Sequence, residues 1–314
     1  RGNPGGLLRE SIRIVNLFVP KGEVIVTTKS KVKKYNKVYK TKEQPLDIEI
    51  PLVVLVNGRS ASASEIVSGA LQDLDRAVIV GSRSFGKGLV QRPKKLTYGT
   101  QLKVTISRYY TPSGRCIQAL NYRDRDKKGN AVRTDEKNYT AFKTKKGRTV
   151  YDGGGVDPDI KIEKSKLSNI TKALIREQVI FNFCTNYYYK NPITSIDDFS
   201  FSNTDYENFK KYVATSDFKY QTNTEKVLST LVKQAVKDDI SLDAEIVQLK
   251  NSISAAKTAA LTKNQEELTK LIADKLVTRY FYKEGLYNYQ LSHHEDIKTG
   301  IEILSSGQYK TILK

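Results

Sequence analysis

The sequence predicts an α/β domain followed by a mainly α-helical one. Two short apolar runs, residues 51–56 and 77–80, flank a segment of helical period, and two-residue alternation takes over from Leu89. Beyond about residue 164 the helical period dominates.

Residues 11–19 set apolar groups on one helical face before Pro20-Lys21-Gly22 breaks the run. Residues 23–28 and 31–40 interleave β-branched and aromatic residues with lysine, as in a half-exposed hairpin. Pro51-Leu52-Val53-Val54-Leu55-Val56 is continuous and apolar, which predicts a strand covered on both faces. After Asn57-Gly58 the period changes: Ile66, Val67, Ala70, Leu71 and Leu74 share one face of a helix that begins near residue 61. Ala77–Val80 is the next buried strand, so strand, tight turn, helix and strand form a βαβ unit. Leu102, Val104 and Ile106 then face one way, and Tyr109–Gly114 turns the chain. Residues 121–149 are polar and basic, a loop or an exposed hairpin, and Asp152–Asp159 closes the unit. Leu174, Ile175 and Val179, and later Leu268, Leu271, Ile272 and Leu276, recur at helical spacing. The expected domains are therefore 1–163 and 164–314.

With 314 residues, 39% hydrophobic and 28% charged, the chain can bury real cores, which excludes a disordered tail or a disulfide-stapled miniprotein. The net charge of +19 is uneven: residues 1–163 carry 32 basic and 16 acidic residues, residues 164–314 carry 21 and 18. Basic patches attract nucleic acid or anionic membrane surfaces. Aromatics interleave only at Tyr35 and Tyr39, and there is no nucleic-acid module, so no specific nucleic-acid partner is expected. No apolar run approaches the roughly 20 residues of a membrane span. The chain lacks Met and reads as an internal piece of a longer protein. Cys116 and Cys184 match no metal or redox spacing and read as buried free thiols, with a single disulfide as the other reading.

Ser60-Ala61-Ser62-Ala63-Ser64-Glu65 falls at the strand-to-helix turn after the first apolar run. A serine at a helix N-terminus has oriented N–H donors and the positive end of the dipole, where an oxyanion is stabilised. Ser62-x-x-Glu65 is equally a capping box, which needs no chemistry. Gly81-Ser82-Arg83-Ser84-Phe85-Gly86-Lys87-Gly88 matches a phosphate loop until Gly88 replaces the Ser or Thr, and the extended Leu89–Pro93 follows where a helix is required. Lys87 is the alternative general base. It acts only as the free amine, which requires burial away from carboxylates, and Phe85, Leu89 and Val90 are apolar neighbours. An exposed surface lysine is the bland reading. The only histidines, His293 and His294, read as a solvated helix end and support neither a Ser-His-Asp triad nor a histidine metal site in the first unit.

Taken in order, Arg1-Gly2-Asn3-Pro4-Gly5-Gly6-Leu7-Leu8, Val54–Ile66, Val80–Gln91 and Tyr109–Arg115 resemble the carboxy-terminal processing peptidases, or tail-specific proteases. The resemblance covers roughly residues 1–163. It implies a crotonase-like core and a serine endopeptidase that cuts proteins near their C-termini through an acyl-enzyme, with no metal and no cofactor. It implies Ser62 as nucleophile, Lys87 as general base and Gln91 as the residue orienting the lysine. The oxyanion hole would be the N–H of Ala63 with that of Gly5 or Gly6. On an extended strand residues 87 and 91 project to one side, which suits a Gln91–Lys87 hydrogen bond. The implied partners are protein or peptide substrates taken by their C-terminal tails. Association with the membrane surface and an oligomer stay open, and the implied location is extracytoplasmic, a bacterial periplasm or envelope. Family members carry a peptide-binding PDZ domain ahead of this region, and none is visible in this sequence. The alternative is a noncatalytic scaffold of the same fold that binds protein tails.

Overall fold

The computed structural model describes residues 1–162 and 167–314. The expected domain boundary near residue 164 falls on residues 163–166 and lies outside the described residues. The chain forms two units, residues 1–164 with 294–314, and residues 165–293. Residues 294–314, expected within the helical half, thus belong with the first unit.

In the first unit, α1 (Leu8–Asn16) precedes β1 (Val24–Lys29) and β2 (Lys37–Lys40). β3 (Val53–Val56), α2 (Ala63–Asp73) and β4 (Val78–Gly81) form the expected βαβ unit, with β3 and β4 parallel and Val53 opposite Val78. β5 (Leu89–Lys95) and β6 (Gln101–Tyr110) pair antiparallel, and the sheet order is β2-β1-β6-β5. The basic segment is two antiparallel hairpins, β7 (Leu120–Arg125) with β8 (Ala131–Arg133), and β9 (Ala141–Lys143) with β10 (Thr149–Tyr151). β11 (Ile160–Lys161) adds parallel to β4.

The parallel sheet is covered on both faces, as its apolar strands require. Val56 and Ile79 join Val15, Ile25, Ile66, Ala70, Leu71 and Tyr109 in one core. On the other face Val53, Leu55, Val78 and Val80 meet Ile303, Tyr309 and Leu313. Those last residues come from the end of the chain, where α9 (Glu295–Ser305) and α10 (Gln308–Ile312) lie after the helical unit. Gly300 makes the close approach possible, since a Cβ there would sit 3.3 Å from Val53 Cγ1. Charged residues anchor the end of α2. Arg115 and Asp73, both fully buried, pair at 2.8 Å, and Arg148 reaches Asp75 and Asp159 at 2.6 Å each.

The second unit is helical: α3 (Asn169–Arg176), α4 (Val179–Lys190), α5 (Asn203–Thr215), α6 (Asn223–Lys237), α7 (Asp243–Lys263) and α8 (Gln265–His293), the last interrupted at Tyr282. Its core joins Leu174, Ile180, Phe183, Phe209, Leu268, Ile272 and Leu276. Both cysteines are free thiols; Cys184 is fully buried, whereas Cys116 is only partly so. His293 lies exposed at the end of α8, and His294 is the N-cap of α9.

Candidate active site

Ser62 is the N-cap of α2, with φ 57° and ψ −115°. A side-chain-bearing residue rarely occupies that region, and such outliers cluster at functional turns. It arises because β3 ends at Val56 and the chain must reverse within five residues. Ser60 N–H donates to the Asn57 carbonyl at 2.7 Å, and Asn57 N–H donates to the Ser60 hydroxyl at 3.1 Å. Ser62 is left half-buried, and Ala63 is the first helical residue, where amide groups lack an intrahelical acceptor.

The Asn3-Pro4-Gly5-Gly6 turn docks directly on this corner. The Asn3 carbonyl accepts Ala61 N–H and the Ser64 hydroxyl, each at 3.0 Å. Gly5, at φ 98°, lies so close that a Cβ would fall 2.5 Å from the Ala61 carbonyl oxygen and 2.9 Å from Ser62 Cβ. Its own N–H is engaged by Asn3 Oδ1 at 2.9 Å. Gly6 is exposed with open space around it. Of the two glycines expected at an oxyanion hole, Gly5 therefore spends its amide inside its own turn.

The loop that carries Lys87 is tied down along its backbone. Ser84 N–H reaches the Val156 carbonyl, Phe85 N–H the Ser60 carbonyl, and Gly88 N–H the Gln118 Oε1, at 3.0, 3.0 and 2.7 Å. Strand β5 follows it, so the phosphate-loop reading lacks its helix. The Lys87 side chain is exposed, against the burial expected, because its apolar neighbours leave one side open: Phe85 is itself exposed and Leu89 and Val90 are half-buried. Gln91 is also exposed. β5 starts only at Leu89, and its pairing shifts between Val90 (opposite Ser107) and Gln91 (opposite Thr105). Lys87 and Gly88 precede β5, so the extended-strand argument that puts residues 87 and 91 on one side does not apply. Among the described residues Gln91 makes no hydrogen bond to Lys87.

Glu65, read from sequence as half of a capping box, does far more. Its fully buried carboxylate accepts Ser62 N–H at 2.8 Å and Lys87 N–H at 2.9 Å on Oε2, and the Ser84 hydroxyl at 2.5 Å and Gly86 N–H at 2.7 Å on Oε1. Burial pushes its pKa above the ordinary glutamate value, and the hydrogen bonds from Ser84, Lys87, Gly86 and Ser62 pull against it. Tyr109, which the sequence marked only as part of a turn, is buried beneath the same corner. Its hydroxyl lies 2.8 Å from the Lys87 carbonyl and 3.2 Å from that of Ser62. Among the described residues no cluster of three or more His, Cys, Asp or Glu has the geometry of a metal site.

Residues 1–123 match the model of peptidase family S41, and residues 170–304 match the model described as "Probable PDZ-protease, C-terminal helical domain". A "Carboxy-terminal-processing protease" of Bartonella bacilliformis is 48% identical over 122 residues, 38% of this chain and 27% of that protein. A "Probable CtpA-like serine protease" of Staphylococcus aureus is 31% identical over 252 residues, 80% of this chain and 46% of that protein. The chain thus spans less than half the length of these curated relatives. Among solved structures, a photosystem II D1 C-terminal processing protease is 29% identical, with a TM-score of 0.38 over 56% of this chain and 36% of that one. All four motif stretches, and the corner where Glu65 joins the Ser62 and Lys87 backbones, fall within residues 1–123, the part of the chain that matches the peptidase family S41 model.

Proposed function

We propose that this chain carries the catalytic groups of a serine endopeptidase that cuts proteins near their C-termini, on a crotonase-like core. The observation that carries the reading is the corner itself. A strained Ser62 stands at the N-terminus of α2, with Gly5 packed against it and the Lys87 loop fastened to the same helix.

In this reading Ser62 Oγ attacks the carbonyl carbon of the scissile peptide while its proton passes to Lys87 Nζ. The tetrahedral oxyanion is held by Ala63 N–H and Gly6 N–H at the positive end of α2, the Gly5 N–H being engaged by Asn3 Oδ1. The lysine ammonium then gives its proton to the departing amine, which leaves an acyl-enzyme on Ser62. Water, losing a proton to Lys87, hydrolyses the ester, and Oγ recovers its proton. Lysine serves as a base only as the free amine, and removal from water favours the amine. Lys87 is exposed here, so a bound peptide lying over it would supply that burial, and Gln91 would turn toward it in the same complex. Substrates are taken by their C-terminal tails, and the location is extracytoplasmic, by the resemblance. No described helix is long and apolar enough to cross a membrane.

The exposed lysine also favours a second reading, a noncatalytic scaffold that holds protein tails on the same groove. Degradation of an unfolded protein with a free apolar C-terminus separates the two. The full-length parent is expected to cleave it and Ser62→Ala and Lys87→Ala to fail, each by at least ~10³-fold. Tail binding without cleavage by all three proteins supports the scaffold.

A further inference from the structure

We propose that Glu65 and Tyr109 are positioning residues that hold the Ser62 and Lys87 backbones in one fixed geometry. The inference rests on the serine–lysine reading above and gives a part in the site to two residues that lie within the motif stretches but to which the resemblance assigned none.

A capping box needs one carboxylate oxygen on one amide of its own helix. Glu65 goes further: the oxygen that accepts Ser62 N–H also accepts Lys87 N–H, from a loop more than 20 residues away in the chain. The other oxygen holds Ser84 and Gly86 of that same loop. Ser84 Oγ accepts Val156 N–H at 2.7 Å, so its proton is committed to Glu65. On the carbonyl side, the Tyr109 hydroxyl lies within hydrogen-bond distance of residues 62 and 87. It has one proton and donates to one carbonyl at a time, with the shorter contact to Lys87.

Both the N–H and the C=O of Ser62, and both of Lys87, are therefore addressed by the same two buried side chains. The distance between the two Cα atoms is set before either functional side chain adopts a rotamer. The lysine side chain is left exposed to solvent while its root is fixed. That arrangement suits a base that engages only when substrate covers it, because a misplacement of about 1 Å can cost on the order of 10²-fold in rate.

The test measures acylation of Ser62 in the full chain by a small activated ester, which needs no tail recognition, with thermal melts alongside. Glu65→Gln keeps one acceptor but turns an NH2 toward donors it cannot accept. Tyr109→Phe removes only the hydroxyl and keeps the ring in the core. The expected result is acylation slowed about 10²-fold in E65Q and about 10-fold in Y109F at saturating ester, with KM within about 2-fold of the parent. Should E65Q fail to fold, Y109F alone decides. Parent-like acylation in folded Y109F, or a change confined to KM, overturns the proposal and leaves both residues as core and cap. No acylation of Ser62 in the parent is a different outcome: it removes the serine–lysine reading and this inference with it.

Discussion

At Gly5 two constraints coincide: a φ of 98° and a backbone oxygen where a Cβ would stand. Alanine there must either push the Asn3 turn off the 61–64 corner or distort Ser62, so Gly5→Ala should cost roughly 1–3 kcal/mol and abolish most acylation of Ser62. Gly6→Ala, with open space around the glycine, should change stability by less than about 0.5 kcal/mol. Urea melts of the pair check this, and equal losses would contradict the close approach. Glu65 gives a pH signature. Its raised folded pKa means the native state binds a proton more tightly than the unfolded chain. Its contribution is therefore fully present below the ordinary glutamate value, about 4.3, and is lost as pH rises through the raised one. The stability difference between the parent and Glu65→Gln should fall with pH across that window and then flatten; a difference that grows with pH would reverse the assignment. The strand-to-helix turn that carries Ser62 and the loop that carries Lys87 could be read in the sequence because their residues lie in short runs next to apolar strands. The hub at Glu65 could not, since a local capping box already accounts for that glutamate and its other partners lie about 20 residues away.

At the level of elements, the switch of period around Asn57-Gly58 was enough to read β3, α2 and β4 in order, and the continuous apolar strands showed that both sheet faces are covered. What covers the second face was not legible. An amphipathic helix such as α9 shows its apolar stripe in sequence without showing which core receives it. Ile303, 2% exposed, sits against Val78 and Val80. Ile303→Ala should destabilise the first unit by about 2–5 kcal/mol. Amide exchange at residues 78–81 checks it: faster exchange is expected, and unchanged protection would return α9 to the helical half. The hydrogen bond expected between Gln91 and Lys87 is absent from the described residues, and Lys87 lies ahead of the strand that carries Gln91. Nothing in the sequence marks Leu89, rather than Lys87, as the first residue of the strand.

Across the whole molecule the two units have separate cores, two on the faces of the parallel sheet in the first unit and one in the helical unit, and each unit should answer to its own perturbation. Burial pushes the Cys184 thiol up to about 11 in the helical unit. The unfolded thiol ionises first, so its contribution is present below the ordinary thiol pKa and is lost as pH rises toward about 11. The loss amounts to roughly 2–3 kcal/mol, and Cys184→Ala should remove that alkaline slope from urea melts followed by helix signal. An identical slope in the variant would place the titration elsewhere. The uneven charge was legible from composition, but the return of residues 294–314 to the first unit depends on tertiary packing that helical periodicity does not encode.

The central claim is that Ser62 is the nucleophile of a serine–lysine peptidase. The direct measurement is peptide mapping by mass spectrometry after the chain is treated with a serine-directed acylating or phosphonylating reagent. A single adduct on Ser62, slowed in Lys87→Ala and missing in Ser62→Ala, is the predicted result. An unmodified Ser62, or equal labelling of Ser60, Ser62 and Ser64, would contradict it and leave the corner as a capped helix in a tail-binding scaffold.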